Sequence, residues 1–356
     1  MADTTGRPSK RARRSAATNT SRENGSANGS TAGYKRSDTF WLRDGNLILV
    51  ANHNTAFRVH QSVLERKSEV FKDMFGLPQP QNADPSSEGE EEEGCPVVHV
   101  SDAPEDITHL LSVLYDGDRF LTQNAPISMK TVLALLQLGI KYEIDYLRDE
   151  ALSILQTIYP PSYAAYLEHC QGALWVTERT ETQDAIVVIN LAWKHGLHTL
   201  LPGAFFALAK LSNKELTRAT NGSGSSSSLT TLSLSDLERC LTGRQTLQQQ
   251  YTARFFFAEQ IEMARDCTQS MVCSEVLESW WDGHVVYRLR EIFNFNFDVL
   301  EEIDWEGGLK VCGECRGWHE LDDKARRMAI YDRLADTFGL KEVVQGGLDA
   351  QAADED

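Results

Sequence analysis

Two close pairs of cysteines stand in the C-terminal part of the chain, Cys267-x5-Cys273 and Cys312-Gly313-Glu314-Cys315. Thiolates are soft donors, and four of them in two pairs suit tetrahedral zinc, with His319 or His284 able to replace one sulfur. The second pair is the stronger half, because glycine inside Cys-x-x-Cys permits the tight turn that aims both sulfurs at one ion. The first pair has an unusual spacing and falls partly on a helical pattern. Two other readings fit the same residues: ordinary thiols, buried or exposed, and a redox Cys-x-x-Cys. The redox reading lacks the strand-to-helix context that presents such a pair in thioredoxin-like proteins. Four protein ligands close a zinc site to substrate, so the chemistry expected of the metal is structural.

Little else has the pattern of a reaction centre. There is no phosphate-cradling glycine loop, no Gly-x-Ser-x-Gly, no His-Glu-x-x-His and no dinucleotide fingerprint, so no catalytic residue and no organic cofactor is assigned. His60 stands where a strand pattern meets a helix pattern, without a nucleophile or second ligand nearby, and is expected to hydrogen-bond backbone. Phe255-Phe256-Phe257 and Trp280-Trp281 read as helix packing rather than a ligand cage.

Composition narrows the class further. Seven cysteines scattered over 356 residues are too few for a disulfide scaffold, which leaves reduced thiols or a metal site. The net charge of −17 is divided unevenly: residues 1–36 carry eight basic side chains against Asp3 and Glu23, a net of +6, which leaves −23 for the rest. An acidic body repels the phosphates of nucleic acid and membrane, so protein partners are expected and nucleic acid only through the basic tail. Within that tail Lys10-Arg11-Ala12-Arg13-Arg14 is similar to a short nuclear-import signal and equally fits a solvated segment. No apolar run reaches membrane-spanning length and no secretory pattern opens the chain, so an intracellular protein, nuclear, cytoplasmic or both, is expected.

The elements that must position these residues are legible as changes of period. Residues 45–51 read as a strand, Asn52-His53-Asn54-Thr55 as the polar turn of a hairpin, and 56–59 as the returning strand. At His60 the period of two gives way to helical spacing, with Val63, Leu64, Val70, Phe71, Met74 and Phe75 on one face. A short strand follows at 97–100. Residues 101–106 then open a helix with a capping residue, an early proline and acidic groups, and Gly117 ends it. Helices are expected over 128–141, 145–158, 162–170, 182–195 and 204–211, and over 234–266 as one helix or two, with Ser235-x-x-Glu238 as a capping box. A last amphipathic helix, 322–338, is expected to turn Ala325, Met328, Ala329, Tyr331, Leu334, Ala335 and Phe338 inward. Residues 1–36, 78–94 and 221–228 and the acidic end at 341–356 read as disordered, with Glu90 to Glu93 a solvated run.

The ordered series Asp44-Gly45, Phe57-x-Val59-His60-x-x-x-Leu64, Ser68-x-x-Phe71-x-x-Met74-Phe75, Val100-Ser101-Asp102, Leu111-x-x-Leu114-Tyr115-x-Gly117 and Lys141-Tyr142-x-Ile144-x-x-Leu147 resembles a BTB/POZ domain. With a long helical region and no kelch, MATH or zinc-finger repeats, the whole chain is similar to the BTB-domain proteins abundant in fungi. The insertion at 78–94 departs from the animal pattern. The resemblance implies an α+β fold at 37–158, a small mainly antiparallel sheet flanked by helices, followed by an all-α C-terminal domain at 162–340. It also implies a non-enzymatic protein-protein interaction scaffold, a homo- or hetero-dimer through the BTB domain. Such a scaffold acts as a substrate adaptor for a cullin-type ubiquitin ligase or, alternatively, as a nuclear transcription-associated regulator. Asp44 matches a position that is a buried acid in the dimer groove of several BTB transcription factors, where Arg43 or Arg58 would offset its desolvation. A turn-forming Asp-Gly is the other reading. Phe40 and Trp41, large apolar groups beside the polar tail, are expected either to meet a partner or to cover the sheet.

Overall fold

The structure is a computed structural model that describes residues 33–76, 91–117, 127–171, 182–221, 228–256, 263–293, 298–304 and 310–354. Its first elements are three strands, β1 (Lys35–Trp41), β2 (Leu47–Ala51) and β3 (Thr55–Val59). β2 and β3 form the expected antiparallel hairpin, from Leu47 opposite Val59 to Ala51 opposite Thr55. Asn52 and His53 close it with φ of 44° and 55°, and the Asn54 N–H donates to the Ala51 carbonyl at 3.1 Å. Asparagine tolerates that left-handed backbone better than most residues, which is why a glycine-free turn suffices.

Two helices, α1 (Gln61–Lys67) and α2 (Glu69–Gly76), follow, then β4 (Glu91–Glu92) and β5 (Cys95–Val100). The strands make one sheet in the order β1-β3-β2-β5-β4. β1 lies parallel to β3 and β5 parallel to β2, while β2–β3 and β4–β5 are antiparallel. The sheet is therefore mixed rather than mainly antiparallel. The parallel β2–β5 contact needs a crossover, and the segment holding α1 and α2 supplies it. Alternation sorts the side chains: Leu47, Leu49, Phe57 and Val59 face the main core, and Ile48, Val50 and Ala56 form a second cluster with Tyr34 and Cys95.

The main core is completed by α3 (Pro104–Asp116), α4 (Met129–Lys141) and α5 (Asp145–Ile158). Ser128 caps α4, accepting from the Thr131 N–H at 3.2 Å. α3 is capped otherwise than expected: Ala103 holds the capping position without a side-chain bond, and Asp102 instead accepts from Lys141 Nζ at 2.7 Å. Between α1 and α2 the chain breaks at Ser68, whose hydroxyl accepts from the Phe71 N–H at 3.1 Å and donates to the Tyr142 carbonyl at 2.6 Å.

Beyond Pro160 the chain is helical: α6 (Tyr163–Gln171), α7 (Thr182–His195), α8 (Leu201–Ala209), α9 (Asn213–Thr220), α10 (Leu234–Phe256), α11 (Ser270–Phe293), α12 (Gly313–Tyr331), α13 (Leu334–Thr337) and α14 (Lys341–Asp354). One buried core runs without a break from Leu49 and Phe71 through Ile189 and Phe205 to Phe338 and Leu340. The Tyr331 hydroxyl donates to the Pro160 carbonyl at 2.8 Å, and Asp332 accepts from the Tyr163 N–H at 3.1 Å, so the far end of the chain is fastened beside the junction.

Several boundaries differ from expectation, each for a packing reason. Lys35 and Arg36, assigned to the tail, are in β1, because Arg36 finds carboxylate partners across the sheet. Glu91 and Glu92 form a strand rather than the end of a disordered insertion. The acidic end is helical from Lys341 to Asp354, and Val343 and Val344 pack against the main core. At the start of α10 the cap is Ser233, which accepts from the Asp236 N–H at 3.1 Å, and not Ser235. In α12 the inward residues are Cys315, Asp323, Arg327, Ile330 and Tyr331, whereas Ala325, Met328 and Ala329 are exposed. Residues 77–90, 222–227 and 257–262, which take in most of the expected insertion, the polar loop and part of the 234–266 helix, lie outside the described residues.

Candidate metal centre and interaction module

The four cysteines converge. The sulfurs of Cys267, Cys273, Cys312 and Cys315 all lie within 4.8 Å of one another, with Cys312 Sγ 3.8 Å from Cys267 Sγ. Four sulfurs at tetrahedral corners about 2.3 Å from one zinc ion stand about 3.8 Å apart, so the spacing suits that ion. Two helix starts make the convergence. Cys273 sits in the first turn of α11, Cys312 caps α12 and Cys315 lies in its first turn. One helical turn places Cys312 and Cys315 side by side, and Gly313 keeps an ordinary negative φ, so the tight glycine turn expected from the motif is not what aims them.

Backbone N–H groups point at the sulfurs. That of Cys312 donates to Cys273 Sγ at 3.3 Å. Those of Cys315 and Thr268 pull the Cys312 thiol down to about 6. Burial pushes Cys315 up to about 12, against the N–H of Ala264. Cys273 is also raised: the Cys312 N–H pulls it down, but burial and the neighbouring thiols outweigh that donor. An array of donors makes thiolate cheaper, and a soft dication would neutralise the charge that burial opposes. Around the sulfurs the buried residues are Cys273, Leu277, Val311 and Cys315, with Ala264, Val276, Trp280 and Ile303 packed against them. Half of this small core is the cysteines themselves. Trp280 is packing, as expected, and His319 stands edge-on to Trp318 at 4.8 Å, outside the sulfur cluster.

The residues expected at an interaction surface separate. Phe40 is buried, its ring 5.9 Å from Tyr115, so it covers the sheet and is not a surface anchor. Trp41 is half-buried under the Arg36 guanidinium, 4.5 Å from its ring centroid. Asp44 is not a buried acid: its side chain is 84% exposed, its partner is His60 Nε2 at 3.3 Å, and the Gly45 N–H closes the turn onto Leu42. Its own backbone N–H, then His60, holds its carboxyl below the usual range. The His60 ring meets side chains and not the expected backbone: Nε2 faces Asp44, and Nδ1 lies 3.1 Å from the Tyr115 hydroxyl, which also accepts from the His60 N–H at 2.8 Å. Sequence reasoning missed the partner of the acidic run. Arg36 meets Glu92 at 3.0 Å and Glu93 at 2.7 Å, Arg58 meets Glu93 at 3.0 Å, and the Tyr34 hydroxyl donates to Glu92. These contacts tie β1 and β3 to β4 over the second apolar cluster.

The hairpin, the helix pair, the strands β4 and β5 and the three core helices follow one another over the span that a family model for the BTB/POZ domain matches, residues 43–159. Residues 43–159 form a BTB/POZ domain. No curated protein matches the chain. Domains of this family mediate protein interaction and dimerisation, so the chain carries a protein-interaction module. β1, with Phe40 and Trp41, precedes the matched span of the BTB/POZ domain, and all four clustered cysteines lie beyond it. Among the described residues no helix is long and apolar enough to cross a membrane.

Proposed function

We propose that this chain is a non-enzymatic scaffold that recruits protein partners through its BTB/POZ domain, and that it serves as a substrate adaptor of a cullin-type ubiquitin ligase. One observation carries the adaptor reading: the core of the BTB/POZ domain continues into the helical region through residues such as Ile189, Phe205 and Leu340. A ligand held on the helices is then fixed in orientation relative to a partner held on the BTB/POZ domain, which an adaptor requires. In this reading the domain pairs with another BTB domain, its own copy or a different one. Cys267, Cys273, Cys312 and Cys315 hold a structural zinc ion that staples the C-terminal helices.

Affinity capture of the full chain from cell extract tests the first part. Recovery of a cullin with other ligase subunits supports the adaptor, and Phe71→Ala, which removes a ring stacked 4.4 Å from Tyr142, should abolish capture by loss of fold. Asp44→Ala, at an exposed turn, should leave capture unchanged. Recovery of self-association or nuclear factors alone rejects the adaptor and favours the nuclear regulator suggested by Lys10 to Arg14. For the zinc, metal analysis of reduced protein should find one ion per chain, lost in Cys312→Ser and in Cys315→Ser.

A further inference from the structure

We infer that the four-cysteine centre is closed in two alternative ways, by zinc when reduced and by a Cys267–Cys312 disulfide after exposure to a peroxide. This rests on the zinc reading above. The four cysteines are not equally buried: Cys273 and Cys315 are fully buried residues, Cys312 is half-buried as a residue, and Cys267 is the most open edge of the cluster. The two less buried cysteines are also neighbours, their sulfurs 3.8 Å apart, on segments that nothing else in the small core joins covalently. A peroxide entering at Cys267 therefore meets Cys312 beside it, and that edge already contains both partners of a disulfide, whose bond requires an approach to about 2.05 Å.

The step balances with hydrogen peroxide as the oxidant. The Cys312 thiolate, at the N-terminus of α12, attacks one peroxide oxygen and the O–O bond breaks. The departing hydroxide takes a proton and leaves as water, with a sulfenic acid remaining on Cys312. The Cys267 thiolate then attacks that sulfur, the S–S bond forms, and the second oxygen departs as hydroxide and is protonated to water. Two electrons pass from the two thiolates to the peroxide. Zinc leaves as Cys273 and Cys315 each take up a proton. The new bond joins the segments the ion had joined, so the helices stay docked while the metal is released.

The experiment uses the full chain, reduced and zinc-loaded, titrated with hydrogen peroxide beside a Cys170→Ser variant that removes the exposed thiol outside the centre. The expected result is one zinc ion released per chain, loss of two thiols, and a Cys267–Cys312 disulfide in a non-reducing peptide map, the same in the variant. Oxidised protein should keep its resistance to protease around residues 263–277, whereas reduced protein stripped by a chelator should lose it. Absence of zinc from reduced protein removes the zinc reading and this inference with it. Zinc that is retained, or released with a disulfide elsewhere or with none, overturns the inference and leaves the structural zinc standing.

Discussion

Asp323 bridges two guanidinium groups inside the helical region. Its Oδ1 accepts from Arg254 Nε at 2.7 Å and its Oδ2 from Arg327 Nε at 3.0 Å, with the Arg254 side chain 1% exposed. Arg254 also donates to the Val299 and Glu301 carbonyls, at 2.9 and 2.6 Å, and so holds the 298–304 segment in place. Asp323→Ala leaves two buried cations without their shared carboxylate, and the expected loss is about 3–5 kcal/mol, read from denaturant unfolding. The neighbouring pair Asp322–Arg326 has the same i,i+4 spacing but is about a third exposed, and Asp322→Ala should change stability by less than about 1 kcal/mol. Spacing alone does not separate the two pairs, and for that reason the buried one was not legible. The caps offer a matched test. Ser233→Ala should cost about 1 kcal/mol through loss of the bond to the Asp236 N–H, and Ser235→Ala close to nothing, measured in the same way.

Among the elements, α4 and α5 show a local preference overruled by contact. Alanine is the better helix former by about 1 kcal/mol, yet a Cβ on Gly139 would stand 2.8 Å from the Arg148 backbone nitrogen. Gly139→Ala is expected to destabilise by about 1–3 kcal/mol, seen as a lower thermal midpoint, because backbone cannot yield as a flexible side chain does. α12 shows the reverse error. Its apolar residues Ala325, Met328 and Ala329 predict an inward face, but the face carrying Cys315, Asp323 and Arg327 is buried instead. Hydrophobic spacing identifies the buried face only when that face is apolar, and here sulfurs and an ion network fill it. The hairpin and the helices at 128–141 and 145–158 were legible because their buried faces are apolar and their breaks carry turn or capping residues.

At the scale of the whole molecule, the main core and the cysteine cluster are distinct sets of buried residues. Stripping the metal from reduced protein should therefore remove hydrogen-exchange protection at Leu277 and Val311 while leaving it at Leu49 and Phe57; simultaneous loss at all four would contradict separate cores. The sequence by itself determined the BTB/POZ resemblance, the helical class of the C-terminal region and the identity of the four cysteines. These depend on residue type and on periods a few residues long, which a linear chain displays. Only the tertiary structure decided that Phe40 is core, that Asp44 is an exposed turn residue, that Arg36 and Arg58 answer the acidic run, and that the last helix is docked. Each of those depends on which distant residues meet in the closed fold, and burial is a property of that meeting rather than of the residue.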